Sequence, residues 1–187
     1  QFVFPGGSFG VFVNPGGGTI EYNSSVASTL PSQATYNNIV FSGSGTKSLF
    51  NTDLVINGNM TIQAGIVANP SNRNVSLKGN LTNNSGVSGF STGTGVITLS
   101  GVDQTITGST SFNRLTINGA GIKSLNSSIL VNTQLTLTQG IIETGSNVVS
   151  LLSSGTVLGG SSASYVNGNF QKYIASATAS KSFEIGD

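Results

Sequence analysis

The chain has 187 residues but no cysteine, no histidine and no tryptophan, and only 7% of its residues are charged. In an ordinary soluble domain roughly 25% are charged. Without Cys and His, the usual ligands of a zinc site are missing, and neither a Ser-His-Asp triad nor a Cys-His pair can be built. The net charge of +1 provides no basic field for nucleic acid. We therefore predict a protein that is not an enzyme, with no catalytic residue, no cofactor, no metal and no nucleic-acid partner.

The sequence also predicts neither helices nor membrane-spanning segments. Residues that favour helices are sparse, and no stretch of a dozen residues keeps apolar positions at helical spacing. No run approaches the roughly 18 to 20 consecutive apolar residues of a membrane span, so none is predicted. The first residue is Gln1 rather than Met. From this we expect a processed product or an internal fragment, with further repeats of the same chain beside it.

Ser, Thr, Asn and Gly together make up just over half of the chain, and apolar residues, 36% of it, are spread evenly. Disordered chains are usually rich in charge and proline and poor in β-branched residues, which is the opposite pattern. The mixture predicts many short strands joined by tight turns. Segments such as Leu54–Ile56, Met60–Ile62 and 135–137 alternate an inward apolar residue with an outward Thr or other small residue.

An internal repeat is the strongest pattern in the sequence. Residues 36–49 match residues 112–125 at an offset of 76, and the match resumes downstream at an offset of 75. Two long units therefore cover about 18–67 and 95–142. A finer echo lies inside them, because the tetrapeptide that begins at Gly58 returns at Gly79. Self-similarity of this kind is typical of solenoid proteins.

We therefore predict an all-β fold in which residues 1–187 form one segment of a parallel β-solenoid. Each coil is predicted to hold about 19 residues, so that the long unit spans four coils and nine or ten coils make a rod about 45 Å long. Asn residues at matching places are predicted to stack into side-chain amide ladders. The alternative is an antiparallel β-sandwich, which explains the density of strands but not the self-match.

Lys47 and Lys123 recur at the offset of 76. One interpretation is a basic stripe that meets an acidic polysaccharide. The interpretation that we favour makes each lysine an outward strand residue that keeps the rod soluble and its edges from pairing. The segment 43–48 superficially resembles a phosphate loop, but Thr46 stands where a glycine should precede the lysine, and residues 49–56 are predicted to be strand rather than helix. A turn between strands is therefore predicted at 43–48.

The carboxylates do not form an evident catalytic pair. A glycosidase needs two carboxyl groups roughly 5 to 9.5 Å apart, whereas the acidic residues, apart from Glu184 and Asp187 at the end of the chain, lie far from one another in sequence. We expect isolated, solvated turn acids, with a weak calcium contact at Asp53 or Asp103 as the alternative. The acidic residues are Glu21, Asp53, Asp103, Glu143, Glu184 and Asp187.

Aromatic residues crowd the start of the chain, at Phe2, Phe4, Phe9 and Phe12. We expect them to pack into the first coils rather than to form a patch on which sugars stack.

Residues 103–117 and 57–62 resemble the repeats of large secreted cell-surface proteins of Bacteroidetes (flavobacteria), similar to gliding-type adhesins exported by the type IX secretion system. Residues 36–49 fit a second copy of these repeats. The segments 159–168 and 183–187 resemble the phrase that closes such arrays, so 159–187 is predicted to be a terminal boundary segment.

The resemblance implies a secreted protein at the bacterial cell surface, in which this region has a structural and adhesive role, in adhesion or gliding motility. The partners it implies are surface polysaccharide or an abiotic surface, flanking repeats of the same chain and, during export, the type IX machinery. Two alternatives stay open from the residues themselves: a carbohydrate-active β-helix with a shallow groove, and a passive stalk or spacer.

Overall fold

The structure, a computed structural model, describes residues 13–49, 52–91, 93–173 and 183–185. The regular secondary structure of this part is β-strand, and all pairs of named strands are parallel. In chain order the strands are β1 (Thr19–Tyr22), β2 (Ser28–Thr29), β3 (Thr35–Tyr36), β4 (Asn38–Phe41), β5 (Gly45–Ser48), β6 (Leu54–Ile56), β7 (Met60–Ile62), β8 (Ile66–Asn69), β9 (Val75–Leu77), β10 (Leu81–Asn83), β11 (Val96–Leu99), β12 (Gln104–Thr107), β13 (Thr110–Leu125), β14 (Ile129–Glu143), β15 (Val149–Leu151), β16 (Thr156–Gly159), β17 (Val166–Asn167) and β18 (Phe170–Lys172).

Each turn of the chain contributes to three stacks of parallel strands, which we name the first, second and third faces. The first face contains β1, β4, β7, β10 and β12, the second contains β2, β5 and β8, and the third contains β3, β6, β9 and β11. Strands β13 and β14 bend round the corners and supply segments to all three faces. About seven turns result. The predicted parallel β-solenoid is confirmed, and the antiparallel sandwich is excluded.

The core is built from columns of inward side chains that repeat from turn to turn. On the third face, Leu54, Val75 and Ile97 are in register, and each is buried. Fully burying a side chain of this size contributes about 1.5 to 3 kcal/mol. The strict alternation of buried and half-buried residues in β6 and β7 is the predicted one. Stacking therefore buries the inward apolar residues of these strands against the next turn.

The coil length varies along the rod, and the predicted 19 residues holds for some coils, such as the one from Thr19 to Asn38. The register advances by 21 residues from Ile39 to Met60 and by 25 from Leu81 to Ile106. The seven or so turns of the described part make a rod about 34 Å long at about 4.8 Å per turn. The 21-residue echo and the predicted 19 residues are therefore each the length of some coils, and neither is the length of all of them.

The long repeat consequently does not span four whole coils. Lys47 lies on the second face in β5, whereas its match Lys123 lies in the part of β13 that pairs with β12 on the first face. Met60–Ile62 belongs to the first face, and its match at 135–137 belongs to the third. The unit thus spans about three and two-thirds coils, so that its second copy is shifted by one face. Because all three faces share the same alternation, the shift leaves the core intact.

At the C-terminal end, β17 pairs with β14 and β18 pairs with β15, so the stack continues through these strands. The boundary role of 159–187 stays a prediction, and the four early phenylalanines lie outside the described residues. Within the described part of the chain, no helix is long and apolar enough to cross a membrane.

Candidate binding surfaces

The two repeated lysines point inward, and both are completely buried, with 0% of each residue exposed. The Lys47 ammonium donates to the backbone carbonyls of Ser24 at 2.7 Å, Val26 at 3.0 Å and Ser44 at 2.5 Å. Two of these acceptors belong to the preceding turn and one to its own. Both sequence interpretations of Lys47, the basic stripe and the outward residue, are therefore wrong. Alternation in β5 places this side chain inside, where carbonyl oxygens replace water around its charge.

Lys123 has the same surroundings at a different corner of the rod. Its ammonium donates to the carbonyls of Gly101, Val102, Gly119 and Ala120, at 2.6 to 3.0 Å. Both interpretations of Lys123 are wrong for the same reason. We call each group of carbonyl oxygens a lysine cage.

Burial lowers the pKa of both caged lysines, because desolvation disfavours the ammonium form. At Lys123 the carboxylate of Asp103 opposes this lowering. The cages tie adjacent turns together inside the rod, so neither lysine is presented to a ligand.

The turn predicted at 43–48 covers only the first part of that segment. Residues 45–48 form β5, and only Gly43 and Ser44 form the turn before it. Gly45 has a φ of +74°, and its match Gly121 has a φ of +78°. This left-handed backbone, which glycine adopts without strain, lets the chain turn into the strand that carries each caged lysine.

Asn residues do form a ladder, but with a different bonding pattern from the predicted one. The Asn38 side-chain oxygen accepts the backbone N–H of Asn59, the Asn59 oxygen accepts that of Asn80, and the Asn80 oxygen accepts that of Thr105, each at 2.8 Å. The ladder thus joins side chain to backbone along the first face instead of amide to amide. It satisfies N–H groups where the chain enters each strand.

A row of threonines runs beside this ladder on the first face. Thr61 is in register with Thr82, and Thr82 with Thr107, on consecutive turns. Each is half-buried and follows an inward apolar residue, so it points outward. We name the Asn ladder together with this row the polar array. Sequence reasoning recognised the 21-residue echo that contains it but did not recognise that it forms one surface.

The described carboxylates are dispersed along the rod. Asp53 accepts the backbone N–H and the side-chain amide of Asn74, at 2.9 and 3.1 Å, and Asp103 accepts the N–H of Ile122 at 2.8 Å. Glu184 forms an ion pair with Lys172 at 2.8 Å. These groups link neighbouring turns or hold the C-terminal end.

Glu21 accepts the Ser42 hydroxyl at 2.6 Å, and Glu143 is exposed on the first face, several turns away. Among the described residues, no group of three or more acidic side chains could hold a metal ion. Calcium at Asp53 or Asp103 stays a prediction, and Asp187 lies outside the described residues.

A step in the surface occurs where the second face meets the third. Residues 70–74 connect β8 to β9, and the connection from Phe90 to β11 is as long. In β13, by contrast, only Asn113 separates the segment on the second face from the segment that pairs with β11. The corner is therefore wide in the early turns and tight within β13 and β14, and it widens again between β15 and β16.

A groove of about 400 Å³ lies at this step. The fourth turn lines it with Ser88, Ser91 and Gly93, and the next two turns line it with Ser111, Asn113 and Asn132. It therefore crosses three consecutive turns along the rod. We name it the corner groove; nothing in the sequence pattern had indicated it, because it depends on a difference in corner length.

The fold and these surfaces define the chain as an all-β parallel β-solenoid. No known protein family, no curated protein and no solved structure matches it.

Proposed function

We propose that this chain is a non-enzymatic structural and adhesive repeat region of a large secreted bacterial cell-surface protein, similar to gliding-type adhesins exported by the type IX secretion system. The observation that carries the proposal is the polar array. Its hydroxyl and carboxamide groups stand on consecutive turns about 4.8 Å apart, and the ladder bonds hold them in fixed positions.

Such an array suits a neutral surface that is itself rich in hydroxyl groups, such as a polysaccharide. Each hydrogen bond that replaces one with water contributes only about 0.5 to 1.5 kcal/mol. One chain therefore binds weakly, and binding becomes strong when many copies act together. A rod made of stacked turns delivers this repetition with little loss of conformational entropy, since its side chains are already ordered.

The dispersion of the described carboxylates supports a non-enzymatic role. Asp53 and Asp103 already accept hydrogen bonds from backbone N–H groups of the next turn. Neither lines the corner groove, whose described residues carry no carboxyl group. A carbohydrate-active enzyme and a passive stalk are the alternatives that the experiment must separate.

The test is retention on insoluble neutral polysaccharides, namely amorphous cellulose, chitin and a β-1,3-glucan, for a single copy and for a tandem fusion of two copies. We expect weak retention of the single copy, retention of the fusion that is stronger by at least tenfold, and no release of reducing sugar. Retention by neither protein would favour the stalk, and released sugar would favour the enzyme.

A matched pair of triple variants locates the contact. Thr61→Glu, Thr82→Glu and Thr107→Glu together place three charges in the polar array, and we expect them to abolish retention. The control places the same charges on the third face, at Thr98, Thr116 and Thr136, which are also in register and outward. Equal loss in both variants would contradict a role for the first face.

A further inference from the structure

We infer that the corner groove is a second, separate binding site, and that it takes a short stretch of a neutral polysaccharide lying along the rod. The inference rests on the proposed adhesive function and adds to it a defined site and a ligand class. It is carried by the shape of the groove, its uncharged polar lining and the way that its walls are held.

The shape favours a segment of polymer over an enclosed small molecule. The groove spans three consecutive turns, from Ser91 in the fourth to Asn132 in the sixth. Its volume of about 400 Å³ lies within the range of roughly 300 to 1,000 Å³ found for ligand sites. It lies open on the rod surface at the step, so an extended chain can enter without any part of the protein moving.

The lining favours a neutral, hydroxyl-rich ligand. Ser88 and Ser91 are exposed hydroxyls, and Asn132 adds a carboxamide. The described lining contains no Lys, Arg, Asp or Glu, so an ionic ligand would lose its hydration without gaining an opposite charge. Hydroxyl and carboxamide groups both donate and accept hydrogen bonds, which is what sugar hydroxyls require.

The groove also offers a small apolar surface. Val87 is 56% exposed at its rim, and Phe90, which is buried, lies against Phe112 with ring centroids 6.1 Å apart. The C–H face of a sugar ring can pack on the valine while its hydroxyls reach the polar wall. Without an exposed aromatic ring in the described lining, we expect dissociation constants in the millimolar range.

The walls of the groove are fixed in place before any ligand binds. Asn113 donates from its side-chain amide to the Gly93 carbonyl, which joins the wide corner to the tight one. Thr133 donates to the backbone and side-chain oxygens of Asn113 at 2.8 and 3.0 Å. The side-chain oxygen of Asn132 accepts the Ser111 hydroxyl at 3.4 Å, which is a long hydrogen bond. The side-chain nitrogen of Asn132 has no hydrogen-bond acceptor among the described residues. Asn132 is therefore the residue that we expect to donate to the ligand.

The test is an NMR titration of the isotope-labelled chain with soluble hexasaccharides. Four are neutral, with β-1,4-glucose, β-1,3-glucose, α-1,4-glucose and β-1,4-N-acetylglucosamine linkages, and one is an acidic oligogalacturonate. We expect at least one neutral hexasaccharide to shift the amide signals of Ser91, Gly93, Asn113 and Asn132 in a saturable manner. The oligogalacturonate should cause smaller shifts.

Two variants connect the shifts to the groove. Asn132→Asp keeps the acceptor for Ser111 but removes the donor and adds a charge, and we expect about tenfold weaker binding, equal to about 1.4 kcal/mol. Ser91→Ala, at an exposed position where folding is not at risk, should weaken binding by about twofold to fivefold, as the loss of one hydrogen bond would. Asn118→Asp makes the same change at an exposed position on another corner and should leave binding unchanged.

The outcomes separate this inference from the proposed function. Retention on insoluble polysaccharide that is lost with charges in the polar array, without any saturable shift at the groove, would overturn the groove site and leave the adhesive role intact. A stronger response to oligogalacturonate, or equal affinities for the parent chain and Asn132→Asp, would also overturn it. If the chain neither binds soluble sugar nor is retained on insoluble polysaccharide, both proposals fail.

Discussion

Lys47 and Lys123 occupy the same kind of carbonyl cage at two different corners of the rod. Each is preceded by a left-handed glycine, and each donates to the carbonyl of an exposed valine in the preceding turn, Val26 at 65% and Val102 at 66% exposure. The repeated structural element is therefore a corner with its following strand, and not a whole coil. A corner of this kind is found at two of the three positions around the rod.

The lysine cages are expected to contribute directly to stability. Lys123→Met keeps the length of the side chain but leaves four carbonyl oxygens without their donor. Hydrogen bonds to a charged group contribute about 1.5 to 3 kcal/mol each, but the substitution also removes the cost of burying the ammonium charge. We therefore expect the free energy of unfolding to fall by about 2 kcal/mol. Urea unfolding measures this loss. Lys78→Met, at an exposed lysine, is the control and should change stability by less than about 0.5 kcal/mol; equal stability of the two variants would contradict the cage.

The Asn ladder makes a prediction about a single amide group. Asn59→Ala removes the oxygen that accepts the backbone N–H of Asn80, so we expect a loss of about 1 to 2 kcal/mol and faster hydrogen exchange at the Asn80 amide. Asn59→Asp retains an acceptor and should restore the protection. Asn84→Ala, which removes only a bond to the Gln63 side chain, serves as the control. Unchanged exchange at Asn80 in Asn59→Ala would show that the ladder bond is not formed.

Two hydrogen-bonded tyrosines, the buried Tyr36 and the half-buried Tyr22, predict how stability depends on pH. The hydroxyls of Tyr22 and Tyr36 lie 2.7 Å apart, and burial raises the pKa of both side chains above the ordinary value of 10.0. In the unfolded chain these groups ionise more easily, so the stability that they contribute is complete below about pH 10 and is lost as the pH rises above it.

Removing one of these hydroxyls tests that dependence. We expect Tyr36→Phe to lose less unfolding free energy than the parent chain between about pH 8 and about pH 11, because one ionising group is gone. The lowered pKa values of the caged lysines act in the opposite direction, but they are common to both proteins and cancel in the comparison. The exposed Tyr173 provides the control, Tyr173→Phe, which should follow the parent curve. A steeper alkaline loss in Tyr36→Phe would contradict the assignment.

The architecture was predictable from the sequence because short-range patterns determine it. Alternation in Leu54–Ile56 and Met60–Ile62 fixes which side chains face the core, and the structure has strands with these same bounds. The self-match indicates stacking, since neighbouring turns must present similar faces to each other. Parallel pairing follows from these two properties.

The position of a residue around the rod was not predictable. The connections at the corners differ in length from turn to turn. Because the repeat spans a fractional number of coils, its residues can be assigned to faces only when these lengths are known. For the same reason, Lys47 was placed outside although the alternation of β5 buries it. A lysine is usually exposed, and its burial here depends on carbonyl oxygens, two of them from the preceding turn, that no sequence pattern locates. The corner groove depends on the same corner lengths and was missed with them.

The measurement that tests the winding most directly uses pairs of pyrene labels on introduced cysteines, which is straightforward because the chain has no cysteine of its own. Thr61 and Thr82 are outward residues in register on consecutive turns of the first face. Thr136 corresponds to Thr61 in the sequence repeat but lies on the third face. We predict strong excimer emission from the pair Thr61→Cys and Thr82→Cys, and none from the pair Thr61→Cys and Thr136→Cys. Excimer emission from the second pair and not from the first would contradict the three-faced solenoid.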